Sequence, residues 1–234
     1  PADLDLDLLA LVDIFRRSPA KLTNAGHPSR RVLKDACAYV QGSSTEAPES
    51  WSGGGRLPFL YHLARALGLL GRDGDRLRVD GIRSRQYFQA AAPDRTRQRV
   101  RAFRQASEWT ELADLDDLTL DMGARARAQG ALDAARTVKA RNAVFDAVAR
   151  MSPGSDIAVA TLLETIRTDH PTLLFADETG PYYPGLSRLR GFAVRVARAD
   201  GWDGVEGAFV RRVLATLRDL GCVSWAGGDD FQAT

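Results

Sequence analysis

The sequence predicts a mainly α-helical protein with small β-hairpin wings: tandem winged-helix modules joined by a helical region. The first observation behind this is a repeated order of elements. An amphipathic helix, a Leu-Gly stop and a very short hairpin occur in LPFLYHLARALGLLGRDGDRLRVD (Leu57 to Asp80) and again in VEGAFVRRVLATLRDLGCVSWAGGDDFQAT (Val205 to Thr234). A helix followed by two strands around a tight polar turn is how a winged-helix module ends. The second observation is composition: 234 residues, 44% hydrophobic and 26% charged, are enough for a globular protein with a substantial core.

Taken in order, Leu4, Leu6, Leu8, Leu9, Leu11, Val12, Ile14 and Phe15 predict a mostly buried first helix, ended near Ser18-Pro19. Leu22-Thr23 leads into a second helix opened by Pro28, with Val32, Leu33, Cys37 and Val40 on its apolar face. GSSTEAPESWSGGG (Gly42 to Gly55) reads as loop, with Trp51 as its candidate anchor. The third helix starts near Leu57-Pro58 and repeats apolar residues at helical spacing through Leu70; Arg76 to Val79 alternates as a strand. These elements make a first winged-helix domain over residues 1–82.

Residues 83–151 read as a linking region. It contains a short packed helix with Ile82, Tyr87 and Phe88, and a helix opened by Pro93 that turns Val100 and Phe103 inward. A solvated acidic stretch with Asp114, Asp116, Asp117 and Asp121 follows, then a long helix from Ala124 to Met151 whose continuity Gly130 weakens. After Pro153-Gly154, Ser155 is expected to cap a helix carrying Ile157, Val159, Leu162, Leu163 and Ile166. HPTLLFADETGPYYPG (His170 to Gly185) reads as a packed loop, Leu186 to Ala199 as a helix, and Val205 to Leu220 as the last helix before the second hairpin. Residues 152–234 thus form the second winged-helix-like domain.

Charge is nearly balanced, 32 Lys and Arg against 30 Asp and Glu, so a nucleic-acid surface has to be local. One local excess lies in Arg83, Arg85, Arg95, Arg97, Arg99, Arg101 and Arg104, with only Asp94 against them. On a helix Arg97, Arg101 and Arg104 share a face and Arg95 and Arg99 lie on a neighbouring strip; such a ridge holds phosphates or is an ordinary solvated face neutralised by Glu108, Glu111 and the acidic stretch after them. A second set belongs to the first module: Arg56, His62, Arg65 and Arg72 exposed around the third helix, Arg76 and Arg78 on the wing, and Arg30, Arg31 and Lys34 on the preceding helix. Without Asn or Gln on that third helix, it suits phosphate contacts better than base reading. In the second module Arg211, Arg212 and Arg218 are opposed by Asp229 and Asp230, which favours protein docking.

Chemistry beyond binding has little to stand on. His27, His62 and His170 are scattered, Cys37 and Cys222 stand alone, and Gly53-Gly54-Gly55 lacks the Lys-Ser/Thr of a phosphate loop. The expectation is no catalytic residue, no metal and no cofactor. Asp3, Asp5 and Asp7 occupy the place of a basic export signal, and no apolar run approaches membrane-spanning length, so a cytoplasmic, nucleoid-associated protein is expected. The chain stops at Thr234 directly after a strand, as a fragment of a longer polypeptide would.

Leu22-Thr23, LPFLYHLARALGLL, the strand Arg76 to Val79 and FRQASEWTEL (Phe103 to Leu112) together resemble a bacterial region of the XPB-type helicase amino-terminal or helicase-associated kind. The segment from Gly201 to Thr234 resembles the later winged-helix portion of such proteins. The resemblance implies an accessory, DNA-associated region in a helicase or DNA-repair setting, without the motor itself. DNA is therefore the expected partner. The competing expectation is a protein partner or homodimer formed on the Ala-rich helix from Ala124 to Met151, with no direct DNA contact. A nuclease using Asp116 and Asp117 is a distant third.

Overall fold

The computed structural model describes residues 3–40, 51, 54–114, 118–120, 124–174, 182–188, 192–195, 202–227 and 230–233. The chain divides into two units, Pro1–Trp109 and Thr110–Thr234. The span expected as a connection, 83–151, is shared between them. Both units are mainly helical, with small antiparallel sheets. Among the described residues, no helix is long and apolar enough to cross a membrane.

In the first unit, α1 (Leu4–Arg17) is well specified by its own chemistry. The Asp3 carboxylate accepts from the backbone N–H of Asp5 (2.9 Å) and Leu6 (3.3 Å), acids fill the first turn and Arg16 and Arg17 the last. Leu4, Leu8, Leu11, Val12 and Phe15 bury one face, each worth about 1.5–3 kcal/mol when fully covered. Next come β1 (Ala20–Lys21), α2 (Arg30–Cys37), α3 (Arg56–Ala66), β2 (Leu70–Asp73) and β3 (Arg76–Val79). The sheet order is β1-β3-β2, with Ala20 opposite Leu77 and Leu70 opposite Val79. Two helices complete the unit: α4 (Gly81–Gln89), capped by Asp80, and α5 (Ala92–Gln105). Helix α1 packs on α3, α4 and β3, and α3 packs on α5. Trp51 is buried against Tyr61 (ring centroids 4.6 Å) and Phe15 (6.1 Å), so the loop residue expected to anchor does anchor. Ile82, expected to pack, is 67% exposed; Tyr87 is the buried aromatic of α4.

The second unit runs through a 3₁₀ turn (Glu111–Asp114), β4 (Leu118–Leu120), α6 (Ala124–Ala149), β5 (Asp156–Ala158), α7 (Val159–Asp169), β6 (Tyr182–Arg188), β7 (Phe192–Arg195), a π turn (Asp203–Gly207), α8 (Ala208–Asp219), β8 (Val223–Gly227) and β9 (Asp230–Ala233). Its two sheets have the orders β4-β6-β7 and β5-β9-β8. Helix α6 is continuous through Gly130. It packs on α7 and α8 and buries Ala140, Val144, Phe145, Ala147 and Val148. The described half of the helix expected to serve a partner thus spends its apolar side inside its own unit.

Two expectations are corrected here. Ser155 does not cap a helix at Ile157: β5 comes first, and α7 begins at Val159. Within the expected helix Leu186 to Ala199, the described residues 186–188 and 192–195 are instead strand, with Arg188 opposite Phe192 and Ser187 opposite Ala193. Phe192, Val194 and Val196 alternate with Ala193 and Arg195, and that two-residue period with β-branched side chains prevails over the looser helical spacing of Leu186, Leu189 and Phe192.

One order of elements now recurs. Helix, strand, helix, helix, strand, strand describes α1-β1-α2-α3-β2-β3, and α6-β5-α7-α8-β8-β9 after β6 and β7 are set aside; in both sheets the last strand is central. The helices before the paired strands even stop alike. Gly68 (φ 75°) donates to Arg65 O and Leu69 to Ala64 O, both at 2.9 Å. Gly221 (φ 81°) donates to Arg218 O and Cys222 to Leu217 O, again at 2.9 Å. Each pair is a Schellman stop, with glycine supplying the left-handed residue. A Cβ on Gly221 would meet nothing within 4 Å, so backbone conformation alone sets the effect of Gly221→Ala. That variant should lose about 1–2 kcal/mol, seen as a lower urea midpoint at unchanged slope. An unshifted midpoint would show the stop to be dispensable.

Candidate nucleic-acid interface

The residues expected around α3 are mostly occupied. Every residue from Leu57 to Ala64 is buried, because α1 packs on this helix from one direction and α5 from another. Arg56, at its start, donates from Nε (2.7 Å) and Nη2 (2.5 Å) to Asp7, a carboxylate only 1% exposed. Arg65 lies over the Tyr61 ring (5.7 Å) and pairs with Glu108 Oε2 at 2.8 Å. His62 is 3% exposed, with Nε2 2.8 Å from the carbonyl of Trp51. Burial drives its pKa down to about 4, with the neighbouring His27 and Arg65 adding to the shift and the Trp51 bond opposing it. At neutral pH it is an uncharged core residue and not a phosphate ligand. The expectation that Arg56, His62 and Arg65 are exposed around α3 is therefore corrected: His62 is inside, and the two arginines are held by Asp7 and Glu108.

The arginine ridge on α5 separates into two kinds of residue. Arg95 donates to Asp5 Oδ2 (2.8 Å) and Ala90 O (2.5 Å). Arg99, 8% exposed, pairs with the other Asp5 oxygen, reaches Thr96 Oγ1 at 2.9 Å and Tyr87 Oη at 3.3 Å. Tyr87 in turn donates to Asp5 at 3.0 Å. Burial pushes the Asp5 carboxyl up, but the hydrogen bonds from Arg95 and Arg99 more than offset it, and it titrates below its ordinary range. Burial likewise raises the Tyr87 hydroxyl far above its usual value. This network fastens α4 and α5 to α1. Arg95 and Arg99 are thus structural. On the outer side Arg97 pairs with Asp94, Arg104 is half-buried, and Arg101 is exposed with no ion partner among the described residues.

Of the remaining candidates, Arg78 meets Asp73 at 3.1 Å across the exposed hairpin. Arg76 on β3 and Arg30, Arg31 and Lys34 on α2 are exposed and have no carboxylate within ion-pair distance among the described residues. In the second unit, α8 buries Phe209, Val210, Val213, Leu214 and Leu217 and leaves Arg211 and Arg218 outward. Asp116, Asp117, Asp121 and Asp229 lie outside the described residues. Among those described, no cluster of His, Cys, Asp and Glu is arranged to hold a metal ion.

The sequence reading missed Asp5 and Asp7 as internal partners of these cations and set Glu108 and Glu111 against the α5 ridge, whereas Glu108 holds Arg65 and Glu111 belongs to a wholly buried pair in the second unit. There Arg141 Nε lies 2.5 Å from Glu111 Oε1 and Nη2 lies 3.0 Å from Oε2, with both side chains at 0% exposure. A signal was present. Asp7 sits three residues after Leu4 and four before Leu11, and Arg141 three before Val144, each on its helix's apolar stripe. No protein-family model, curated protein or solved structure matches the chain.

Proposed function

We propose that both units are winged helices and that the protein is a non-catalytic DNA-binding protein, or accessory region, that grips phosphates without reading sequence. The recurring helix, strand, helix, helix, strand, strand order with a central last strand supports the fold reading. The observation that carries the function is the charge arrangement of α2. Arg30 and Arg31 open this helix, no acid lies in its first turn, and no side chain caps it. Cations there oppose the helix dipole, by about 0.3–1 kcal/mol each. Helix α1 is arranged the opposite way. A phosphate at the start of α2 would meet both guanidinium forks and the free backbone N–H groups, turning an unfavourable arrangement into a favourable one. Lys34 one turn on, Arg76 on the hairpin and Arg101 on α5 are further exposed cations. Because α3 is covered, base reading is not part of the proposal.

Fluorescence anisotropy with unrelated DNA duplexes across a salt series tests it. The triple variant Arg30→Ala/Arg31→Ala/Lys34→Ala should lose at least about tenfold in affinity, and its log-log salt slope should become shallower by about 2–3. Wild-type affinity and slope in that variant would overturn the assignment to α2. A second reading, a protein-docking or dimerisation module, is favoured by Leu6 and Leu9, 52% and 47% exposed one turn apart on α1. It predicts a mass that rises with concentration and falls back in Leu6→Asp/Leu9→Asp.

A further inference from the structure

The backbone links the exposed cations of the first unit into one run. Lys21 on β1 stands directly opposite Arg76 on β3, and directly opposed residues share a face of the sheet. Both are exposed. One residue on, Leu22 donates to Asp75 O at 2.7 Å and bridges to Pro28, which brings the start of α2 to the edge of that strand pair. Arg30 and Arg31 open the helix there, and Lys34 follows at one turn's spacing on its outer side. Asp35 is the one acid of α2, and Asp75 meets Lys21 only at 3.8 Å with both side chains in water. At the far end, just past the Ala38 cap, stands Tyr39. Its N–H donates to Ala36 O at 3.1 Å, so the last turn tightens and the backbone there stays tied to the helix. Its ring is 66% exposed, whereas Tyr61 and Tyr87 are buried. From Arg30 to Tyr39 the helix rises about 13 Å.

We propose that this run is a track for single-stranded nucleic acid, with phosphates along the cations and an unpaired base stacked on the Tyr39 ring. The proposal rests on the phosphate-gripping reading above and names the form of nucleic acid that it takes. Charge alone serves duplex and single strand alike. An aromatic face does not: a duplex keeps its bases stacked on one another, and only a splayed base can cover the ring. Covering it removes apolar surface from water, and every base has a π-face to offer, so the strand is held without regard to sequence. The burial of α3 points the same way, since the helix that a duplex groove would receive is inside the unit.

Three probes of equal length separate charge from stacking: a mixed-sequence DNA single strand, an abasic strand with the same phosphates, and the duplex. By fluorescence anisotropy the parent protein should bind the single strand about tenfold or more tightly than the abasic strand, roughly 1.4 kcal/mol. Tyr39→Ala should abolish that difference at an unchanged log-log salt slope, because no phosphate contact is lost. Its loss should be confined to the base-bearing single strand. Tyr39→Phe keeps the ring and should keep the difference. The Tyr39 ring protons should move upfield with the single strand and not with the abasic one, as stacking on a base requires. Equal affinity of the parent for the two strands, or a Tyr39→Ala loss shared equally by the abasic strand and the duplex, would overturn the proposal and leave the ring to a protein contact. The α2 triple variant should weaken both strands and still prefer the one with bases. If it weakens binding while Tyr39→Ala changes nothing, the stacking proposal fails alone. If it binds every probe like the parent, the phosphate reading fails and the track with it.

Discussion

Glu111→Ala should destabilise the second unit by about 3–5 kcal/mol, the usual consequence of stripping one partner from a fully buried ion pair. Arg141 donates to Glu111 at 2.5 and 3.0 Å and has no exposure to water, so its guanidinium would lose the charge that balances it without gaining solvent. The surroundings leave little room for relief, because Thr137 beside it is also buried and hydrogen-bonded to Thr110 at 3.4 Å. Replacing both members with apolar residues of similar volume, Glu111→Leu with Arg141→Met, should recover most of the loss, since desolvation is removed along with attraction. Urea unfolding of the two variants decides it. A single variant within about 1 kcal/mol of the parent would mean that the pair is far wetter than its burial indicates.

Acidification from pH 7 to 4 should remove about 3 kcal/mol from the first unit through His62 alone, since burial holds its pKa down at about 4. The folded pKa is about 4 against 6.5 for the free side chain, so in this window the unfolded chain binds the proton and the folded one refuses it. Stability from this source is fully present above pH 6.5 and is lost as pH falls toward 4. Burial, followed by the charge of Arg65, lowers His27 too and acts in the same direction, while Glu108 pulls it the other way. The lowered Asp5 carboxyl contributes a further loss only at more acid pH, once the carboxylate itself accepts a proton. His62→Gln should flatten the pH dependence between 6.5 and 4.5 whatever it does to stability at neutral pH. An equally steep dependence in that variant would assign the acid loss to other groups.

These buried charges also show where sequence reading stops. The repeated helix, stop and hairpin is legible because apolar spacing, glycine and turn residues all act locally, and α1, α3, β3 and α8 follow from it. Strands β1 and β5 are two and three residues long and gain their identity only from β3 and β9. No periodicity marks them. The site was legible only as a list of cations. Arg30, Arg31, Lys34, Arg76 and Arg101 stay outside, whereas Arg56, Arg65, Arg95 and Arg99 are claimed by carboxylates 43 to 94 positions away along the chain. An arginine's sequence neighbours do not reveal such a partner, so a run of arginines reads as a surface even when half of it is framework.

The central position of the last strand in each repeated sheet has a consequence for synthesis on the ribosome. Among the described residues β1 has only β3 to pair with, and β5 has only β9, so each early strand waits for its partner while more than fifty residues emerge. Pairings that distant close slowly, after their loops have lost their freedom. The first sheet can close once Val79 has left the exit tunnel, well before β5 is made. The second cannot form until β9 arrives. The nascent protein therefore passes through a stage with one finished unit and one open one, and a stalled chain lacking β9 would carry a second unit with β5 and β8 unbridged.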